Sequence, residues 1–405
     1  MKHRIRSSFV TFCVAMSGLA GCVDVYTAYQ PDFNQVYLQV EGAVSNLPDG
    51  RRVALRTLTA RTNGTTTAPI RSAQVRIIAD GQRTLPLPET EPGIYRVPDG
   101  YWFQSGHVYQ LQARLSDGNE LTSTGETMPD SVALTGTLRT EFSPDRVTPL
   151  NGSRGGFGQL IYGAFKDPAR VHNFYRYNWK SWERQFFCKR CENSVLRQTG
   201  DTECNQQTAT ALGYLTPDGK PAGGPPIQGR DFFFDYSCQS PCWQQYFNSS
   251  VTLFTDALSD GQTINDVVLA QIPLLEVTGY LLEVQLESLS AGYYDYLKLL
   301  EDQVKATGGI ADTPPAPLRG NVISNRIDSP GIIGYFTVLA VSTQRQYVLR
   351  EGIDFRQYPI LGLLGRTMYR PEPTRPYGFP PIPFYPCLLN GEGFRTPVKP
   401  AGWPN

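Results

Sequence analysis

The eight cysteines are the residues whose positions most clearly suggest chemistry in this chain. Cys13 and Cys22 lie near the amino terminus, and the other six lie far along the chain. A cysteine can carry an acyl chain, form a disulfide or bind zinc as a thiolate, and the compartment of the protein decides between the last two. Whether the chain is exported is therefore the first question.

The first 22 residues have the pattern of a lipoprotein signal peptide. Three basic side chains precede Phe9–Leu19, an apolar stretch that is too short to cross a bilayer core of about 30 Å. Leu19-Ala20-Gly21-Cys22 then places small residues before the cysteine that lipoprotein signal peptidase requires in acylated form. We expect cleavage of residues 1–21, lipidation of Cys22 and a tether over residues 22–34. The alternative is an ordinary secretory signal with an incidental cysteine.

The remaining six cysteines form an even set in a chain that we expect to be exported. They are Cys188, Cys191, Cys204, Cys238, Cys242 and Cys387. Three disulfides are the favoured interpretation, because such bridges stabilise a segment with little core of its own. The short spacings also suit zinc, although zinc sites of this kind are commoner in reducing compartments. Free thiols are a third possibility, and the spacings do not select one pairing among the fifteen that six cysteines allow.

Motifs of the common enzyme classes are absent from the sequence. There is no G-x-S-x-G, H-E-x-x-H, Walker loop or dinucleotide-binding fingerprint, and the histidines are only His3, His107 and His172. We expect His107 and His172 to be structural, and no metal or cofactor is predicted. A pair of carboxylates for glycoside hydrolysis leaves no sequence motif, so a hydrolase stays a third hypothesis. Equal numbers of basic and acidic residues, 37 each, argue against nucleic-acid binding.

Aromatic side chains are concentrated near the cysteines and suggest a binding surface. The candidates for partner or ligand contact are Tyr236, Trp243, Tyr246 and Phe247, close to the run Phe232-Phe233-Phe234. Exposed aromatic residues on a rigid loop are typical of interaction sites. The alternative, which we favour for most of them, is that they fill a small core beneath the loop.

Short alternating segments separated by turns predict a mainly β protein. Residues 35–128 contain five to seven such segments and no cysteine, so we expect an immunoglobulin-like β-sandwich that folds independently. Residues 129–405 are predicted to form a larger β-rich domain. It would include an irregular Cys-rich insertion over residues 188–249 and a Pro-rich carboxyl-terminal tail.

Two segments of the larger domain have clear periodicity. Phe174–Trp182 alternates so that Tyr175, Tyr177 and Trp179 would share one face of a strand. Ala291 to about Thr307 is the one clear helix, with Ser290 as its N-cap and an apolar stripe that starts at Tyr293 and Leu297.

The mature chain resembles a family of Bacteroidota lipoproteins, the domain of unknown function 4249. The resemblance rests on the lipobox, on the strand Val36-Tyr37-Leu38-Gln39-Val40-Glu41-Gly42, and on the helix that leads through Pro314-Pro315 to Gly320-Asn321-Val322. It also rests on Gly334-Tyr335-Phe336 and on the ending Arg395-Thr396-Pro397 to Trp403. The family has no established activity, so the resemblance supplies no catalytic residue. A comparison with its members implies that Cys387 pairs with a cysteine of the 188–242 region.

The resemblance also implies a role beside TonB-dependent receptors, near which such proteins are commonly found. We therefore expect a non-enzymatic, lipid-anchored outer-membrane accessory protein that binds a ligand or a partner for such a receptor. The sequence does not fix the face of the membrane. The alternative is a structural or assembly subunit of an outer-membrane complex.

Overall fold

A computed structural model describes most of the chain after the tether. The described residues are 35–61, 64–148, 156–197, 203–215, 233–248, 251–305, 318–358, 370–388 and 394–404. The predicted signal peptide, the lipidation site Cys22 and most of the tether lie outside these residues. Within them the protein is mainly β, as predicted, with several sheets and two α-helices. Neither helix is long and apolar enough to cross a membrane.

The described part of the chain contains 22 strands. The first eleven are β1 (Val36–Ser45), β2 (Arg52–Arg61), β3 (Gly64–Pro69), β4 (Gln74–Ala79), β5 (Arg83–Leu87), β6 (Glu89–Glu91), β7 (Ile94–Arg96), β8 (Val108–Arg114), β9 (Glu120–Ser123), β10 (Glu126–Thr127) and β11 (Leu134–Ser143). The others are β12 (Gly158–Lys166), β13 (Phe174–Glu192), β14 (Val195–Leu196), β15 (Cys204–Asn205), β16 (Phe233–Phe247), β17 (Thr252–Thr255), β18 (Thr263–Pro273), β19 (Tyr280–Leu289), β20 (Val322–Ser324), β21 (Gly331–Val348) and β22 (Phe394–Thr396). The helices are α1 (Gln206–Ala211) and α2 (Ala291–Lys305).

One long sheet runs through the whole described structure. Its strand order is β22-β16-β13-β19-β21-β1-β2-β7-β6, with β17 and β3 paired beside β13 and β2. Strand β21 makes this continuity possible. Its first half pairs in parallel with β1, from Tyr37–Gly331 to Ser45–Leu339, and its second half pairs antiparallel with β19, as far as Tyr280–Val348.

The long sheet forms two sandwiches, each with a smaller sheet. At the β1 end it packs against the sheet β20-β9-β8-β4-β5, around a core that includes Leu55, Tyr95 and Leu111. Val322, Phe336 and other residues of β20 and β21 belong to that same core. Residues 35–128 therefore do not complete this sandwich alone. Their independent folding stays a prediction, and the shared core argues against it.

The second sandwich is formed by β13, β19 and β21 against the sheet β11-β12-β18. Tyr175, Tyr177 and Trp179 are buried in its core, which confirms the predicted alternation of β13. Helix α2 packs on the opposite face, where Tyr293 and Leu297 contact a cluster containing β21 residues. The predicted helix is thus confirmed over Ala291–Lys305.

The Gly-Asn-Val and Gly-Tyr-Phe motifs meet where β21 enters the first sandwich. A Cβ atom on Gly320 would lie 1.4 Å from the carbonyl oxygen of Gly334, and one on Gly334 would lie 1.9 Å from that of Val40. The Asn321 amide donates to the Phe336 carbonyl at 2.8 Å and accepts from the Phe336 N–H at 2.9 Å. These residues therefore allow the backbones to pack closely at this point.

A buried carboxylate joins the same region to helix α2. Glu126 accepts hydrogen bonds from Ser290 at 2.5 Å, Tyr335 at 3.0 Å and Thr337 at 3.2 Å. Ser290 also accepts from the Tyr293 N–H at 3.3 Å, so it caps the helix as predicted. Glu126 thus connects strand β10, the start of α2 and strand β21.

We expect Gly334→Ala to destabilise the protein by about 3 kcal/mol or more, because the added Cβ would force β21 away from β1 at a positive φ of 99°. Gly81→Ala is the matched control: its φ is also positive, at 67°, but its Cβ would meet nothing within 4 Å. The control should cost only about 1 kcal/mol. Urea unfolding of both variants measures the difference, and equal losses would contradict the close-packing role.

Candidate functional site at the disulfide-stapled end

Three disulfides hold the far end of the long sheet together. Cys188–Cys238, Cys191–Cys204 and Cys242–Cys387 have Cα separations of 4.9, 5.4 and 5.6 Å. The disulfide prediction is confirmed, and Cys387 does reach back to the Cys-rich region. Because all six thiols are consumed, none of them is left to bind zinc. We call residues 184–197, 203–215, 233–248, 370–388 and 394–404 the stapled end.

The segment predicted to be an irregular insertion contains parts of two long strands. Strand β13 continues to Glu192, and β16 pairs with it from Lys180–Phe247 to Glu192–Phe233, with bulges near Phe187. For these residues the prediction of irregular structure was wrong. The bulges disrupt the alternation of apolar and polar residues, which is the sequence signal for a strand.

A small core lies beneath the bridges. It contains Cys188, Cys191, Phe234, Tyr236 and Cys242, with further apolar residues from β14, α1 and the tail. The Tyr236 hydroxyl donates to Glu372 at 2.7 Å and accepts from the Leu196 N–H at 2.9 Å. Burial and the neighbouring Glu372 carboxylate raise the pKa of Tyr236 above its usual value. Tyr236 is therefore a core residue.

Two buried ion pairs fix the tail onto this core. Arg190 binds Asp235 through two bonds of 2.7 and 3.0 Å, and Asp235 also accepts from the Arg370 N–H at 2.8 Å. Arg375 binds Glu372 at 2.6 Å. Both carboxylate side chains are 0% exposed, so their charges are compensated inside the protein and not at its surface.

The four predicted contact residues occupy different environments. Tyr236 and Trp243 are buried, and Trp243 packs edge-on against Trp403 with ring centroids 6.0 Å apart. Tyr246 is half-buried against the core of the second sandwich. Phe247 alone is exposed, by 38%, and its ring contacts the 60% exposed ring of Phe394 at 5.4 Å. Of these four residues, only Phe247 is therefore exposed enough to contact a partner.

Exposed rings do occur together at the stapled end, in Phe247 and in five residues that were not predicted. Among the described residues, every exposed Phe and Tyr side chain lies in this part of the molecule. The set, which we call the aromatic surface, is Phe186, Phe247, Tyr377, Phe379, Phe384 and Phe394. The available signal for those in the tail was its aromatic and proline content. An exposed ring is an available contact for a partner.

The histidines are engaged in local contacts. The imidazole Nδ1 of His107 lies 2.7 Å from Asp80, and this contact, with the Val108 N–H, lowers the pKa of the Asp80 carboxyl. The Nε2 atom of His172 lies 2.8 Å from the Thr255 hydroxyl, and its ring stacks on Phe174. Both contacts are consistent with the structural role that we expect.

The acidic side chains Asp167, Asp256 and Asp260 come close enough to hold a cation. They already accept hydrogen bonds from the protein. Asp167 accepts from the Tyr175 hydroxyl at 2.5 Å and Asp256 from the Asn173 N–H at 2.9 Å. Both buried carboxylates, Asp167 and Asp256, thus accept hydrogen bonds from the chain, and their burial does not require an ion.

Carboxylates on the central strands are held by arginines. Glu183 binds Arg350 at 2.6 Å, and Glu283 binds Arg345 at 2.5 Å. Burial raises the pKa of the Glu183 carboxyl, while the arginine opposes that shift. In these positions the carboxylates link neighbouring parts of the sheet.

The first sandwich carries a solvent-open groove of about 750 Å³. Its lining includes Arg76, Gln112, Arg114, Glu120 and Thr122, whose side chains are polar. Arg76 donates to Gln112 at 2.9 Å. The groove has no aromatic lining residue, which distinguishes it from the aromatic surface.

Comparison with known proteins gives one match. The model of a family described as Domain of unknown function (DUF4249) matches residues 24–345, which is more than half of the 405 residues. No curated protein and no solved structure matches the chain. Cys387 and most of the aromatic surface lie beyond the matched residues.

The bridge between Cys242 and Cys387 should stabilise the protein more than the bridge between Cys191 and Cys204, since it closes 145 residues against 13. Chain entropy gives about 5 kcal/mol for the long loop and about 3 kcal/mol for the short one. We expect Cys242→Ser with Cys387→Ser to accelerate amide exchange across the tail and β16. Cys191→Ser with Cys204→Ser is the control, and equal or reversed effects would contradict the prediction.

Proposed function

This chain belongs to the family Domain of unknown function (DUF4249), and we propose that it is a non-enzymatic, lipid-anchored outer-membrane protein that binds a partner through its aromatic surface. The partner in this proposal is a TonB-dependent receptor, or a ligand that the protein passes to one. The receptor is suggested by the resemblance described above.

The observation that carries the proposal is that, among the residues that the structure describes, exposed Phe and Tyr occur only in the disulfide-stapled part of the molecule. Aromatic residues contribute large contact areas and dominate the binding energy of many interfaces. Their ordering costs least when the backbone is already fixed. Here three disulfides and two buried ion pairs fix it before any partner arrives.

The lipobox supports membrane attachment. Residues 23–35 connect Cys22 to β1 and can span at most about 45 Å. An anchored protein with such a tether stays near the bilayer and within reach of a partner in the same membrane. The outer membrane is the proposed location, on a face that the proposal leaves open.

A structural or assembly subunit is the second candidate, and the continuous sheet favours it. Strand β21 alone has 18 residues and joins the two sandwiches, which suits a rigid spacer within a larger complex. Purification from detergent-solubilised outer membranes separates the two candidates. A receptor barrel as the main companion supports the first, and a large multi-subunit assembly supports the second.

Cys22→Ser should abolish membrane attachment, because no thiol would be left for acylation at the cleavage site. We expect the variant to lose acyl labelling and to leave the membrane fraction, while Cys13→Ser, inside the signal peptide, should retain both. Metabolic labelling with an alkyne fatty acid and fractionation test this. Undiminished labelling of the Cys22→Ser protein would rule out the proposed anchor.

Phe247→Ser with Phe394→Ser should reduce recovery of the partner about tenfold, since it removes two adjoining exposed rings. Trp102→Ser is the control, because Trp102 is 62% exposed but lies in the first sandwich. Quantitative mass spectrometry after co-purification is the measurement, with thermal unfolding as a check that both variants are folded. Full recovery by the double variant would refute a role for the aromatic surface.

A further inference from the structure

Three basic side chains of the stapled end lie over aromatic rings and form no ion pair with an acidic side chain of the described residues. Arg184 lies over Phe186 and Lys189 over Tyr385, each 5.4 Å from the ring centroid, and Arg370 lies over Phe234 at 5.7 Å. Within the described residues none of the three forms an ion pair. Arg184 and Arg370 are exposed, and Lys189 is half-buried.

The described part of the stapled end has four carboxylates. Asp235 and Glu372 are the buried partners of Arg190 and Arg375, and Glu192 and Glu203 are exposed but form no ion pair with the three cations. The ring beneath Arg184 is exposed, and the rings beneath Lys189 and Arg370 are buried. The charges of all three cations are therefore available to an acidic group outside the chain. A cation over a ring keeps its charge, and the ring holds the side chain in place.

Strand directions place the stapled end far from the start of β1, which the tether joins. Strand β21 begins beside the start of β1, pairs in parallel with it over residues 331–339 and continues to Val348, a length of 18 residues or about 55 Å. Strand β13 runs in the same direction as β21. Glu183 of β13 and Val348, the last residue of β21, both pair with Tyr280 of β19, so β13 extends beyond the end of β21 after Glu183. From Glu183 it continues for nine residues, about 30 Å, into the stapled end.

We infer that the stapled end binds an acidic, partly apolar surface of another protein, which the basic residues attract and the aromatic residues hold. This inference rests on the proposed function and adds the chemistry of the partner. Charge complementarity favours a negatively charged surface. A protein fits better than the phosphates of the anchoring bilayer, because the tether brings the opposite end of the molecule to that bilayer.

If the basic residues attract the partner and the aromatic residues hold it, the affinity should depend on salt concentration in a particular way. Attraction between exposed charges is screened over about 10 Å at 0.1 M salt, whereas burial of aromatic rings is not weakened by salt. Binding should therefore weaken with salt down to a level that the rings alone maintain. Loss of the cations should lower affinity at low salt only, and loss of the rings should lower it at every salt concentration.

The test uses the mature, oxidised chain and two synthetic peptides of equal Phe and Leu content, one rich in Glu and its twin with Gln at those positions. By fluorescence anisotropy we expect the Glu peptide to bind about tenfold more tightly at low salt and to lose this advantage at about 0.5 M NaCl. Arg184→Glu with Arg370→Glu should remove the advantage. Arg76→Glu, an exposed arginine of the first sandwich, should retain it.

Other outcomes separate this inference from the proposed function. Equal binding of the two peptides, or an advantage that survives the double charge reversal, would overturn the acidic-partner inference. The proposed function would still stand if Phe247→Ser with Phe394→Ser weakened both peptides and partner recovery. Binding to vesicles of phosphatidylethanolamine and phosphatidylglycerol that the charge reversal abolishes would also overturn the inference, in favour of a lipid.

Discussion

Strand β21 is hydrogen-bonded to β1 along its first half and to β19 along its second half, and the arrangement of both sandwiches depends on this shared strand. The β1 contact requires two backbones to approach where a side chain would collide, which explains Gly320 and Gly334. The polar groups beside this close contact must also form hydrogen bonds. Asn321 bonds the backbone of Phe336, and Glu126 accepts from Ser290 at the start of helix α2, which connects the helix to the same junction.

The stapled end follows from the other half of the same sheet. Strand β13 continues past the second sandwich, where no sheet of the described residues covers it, so the described segment lacks a large core. Three disulfides and the pairs Arg190–Asp235 and Arg375–Glu372 take the place of that core. A scaffold fixed by bridges and buried charges does not need to bury every ring, which leaves aromatic side chains at the surface.

Features that depend on neighbours in sequence could be predicted from the sequence. The alternation of Tyr175, Tyr177 and Trp179 and the helix over Ala291–Lys305 are of this kind, since each repeats at the period of its element. The disulfides followed from an even number of cysteines in a chain that we expect to be exported. The pairing of β21 with β1 joins residues nearly 300 positions apart, and no local pattern specifies it. The sequence also does not show which rings are exposed. Trp243 is buried and Phe247 is exposed, although both lie on strand β16.

The sharing of β21 also sets an order of events during folding. A chain that emerges with its amino terminus first presents β1 long before residues 331–339 arrive to pair with it. Until then one edge of β1 has unpaired N–H and C=O groups, and the first core lacks Phe336 and Val338. An open edge beside exposed apolar side chains is prone to aggregate. The newly emerged chain therefore stays prone to aggregation until nearly all of its sequence is available for folding.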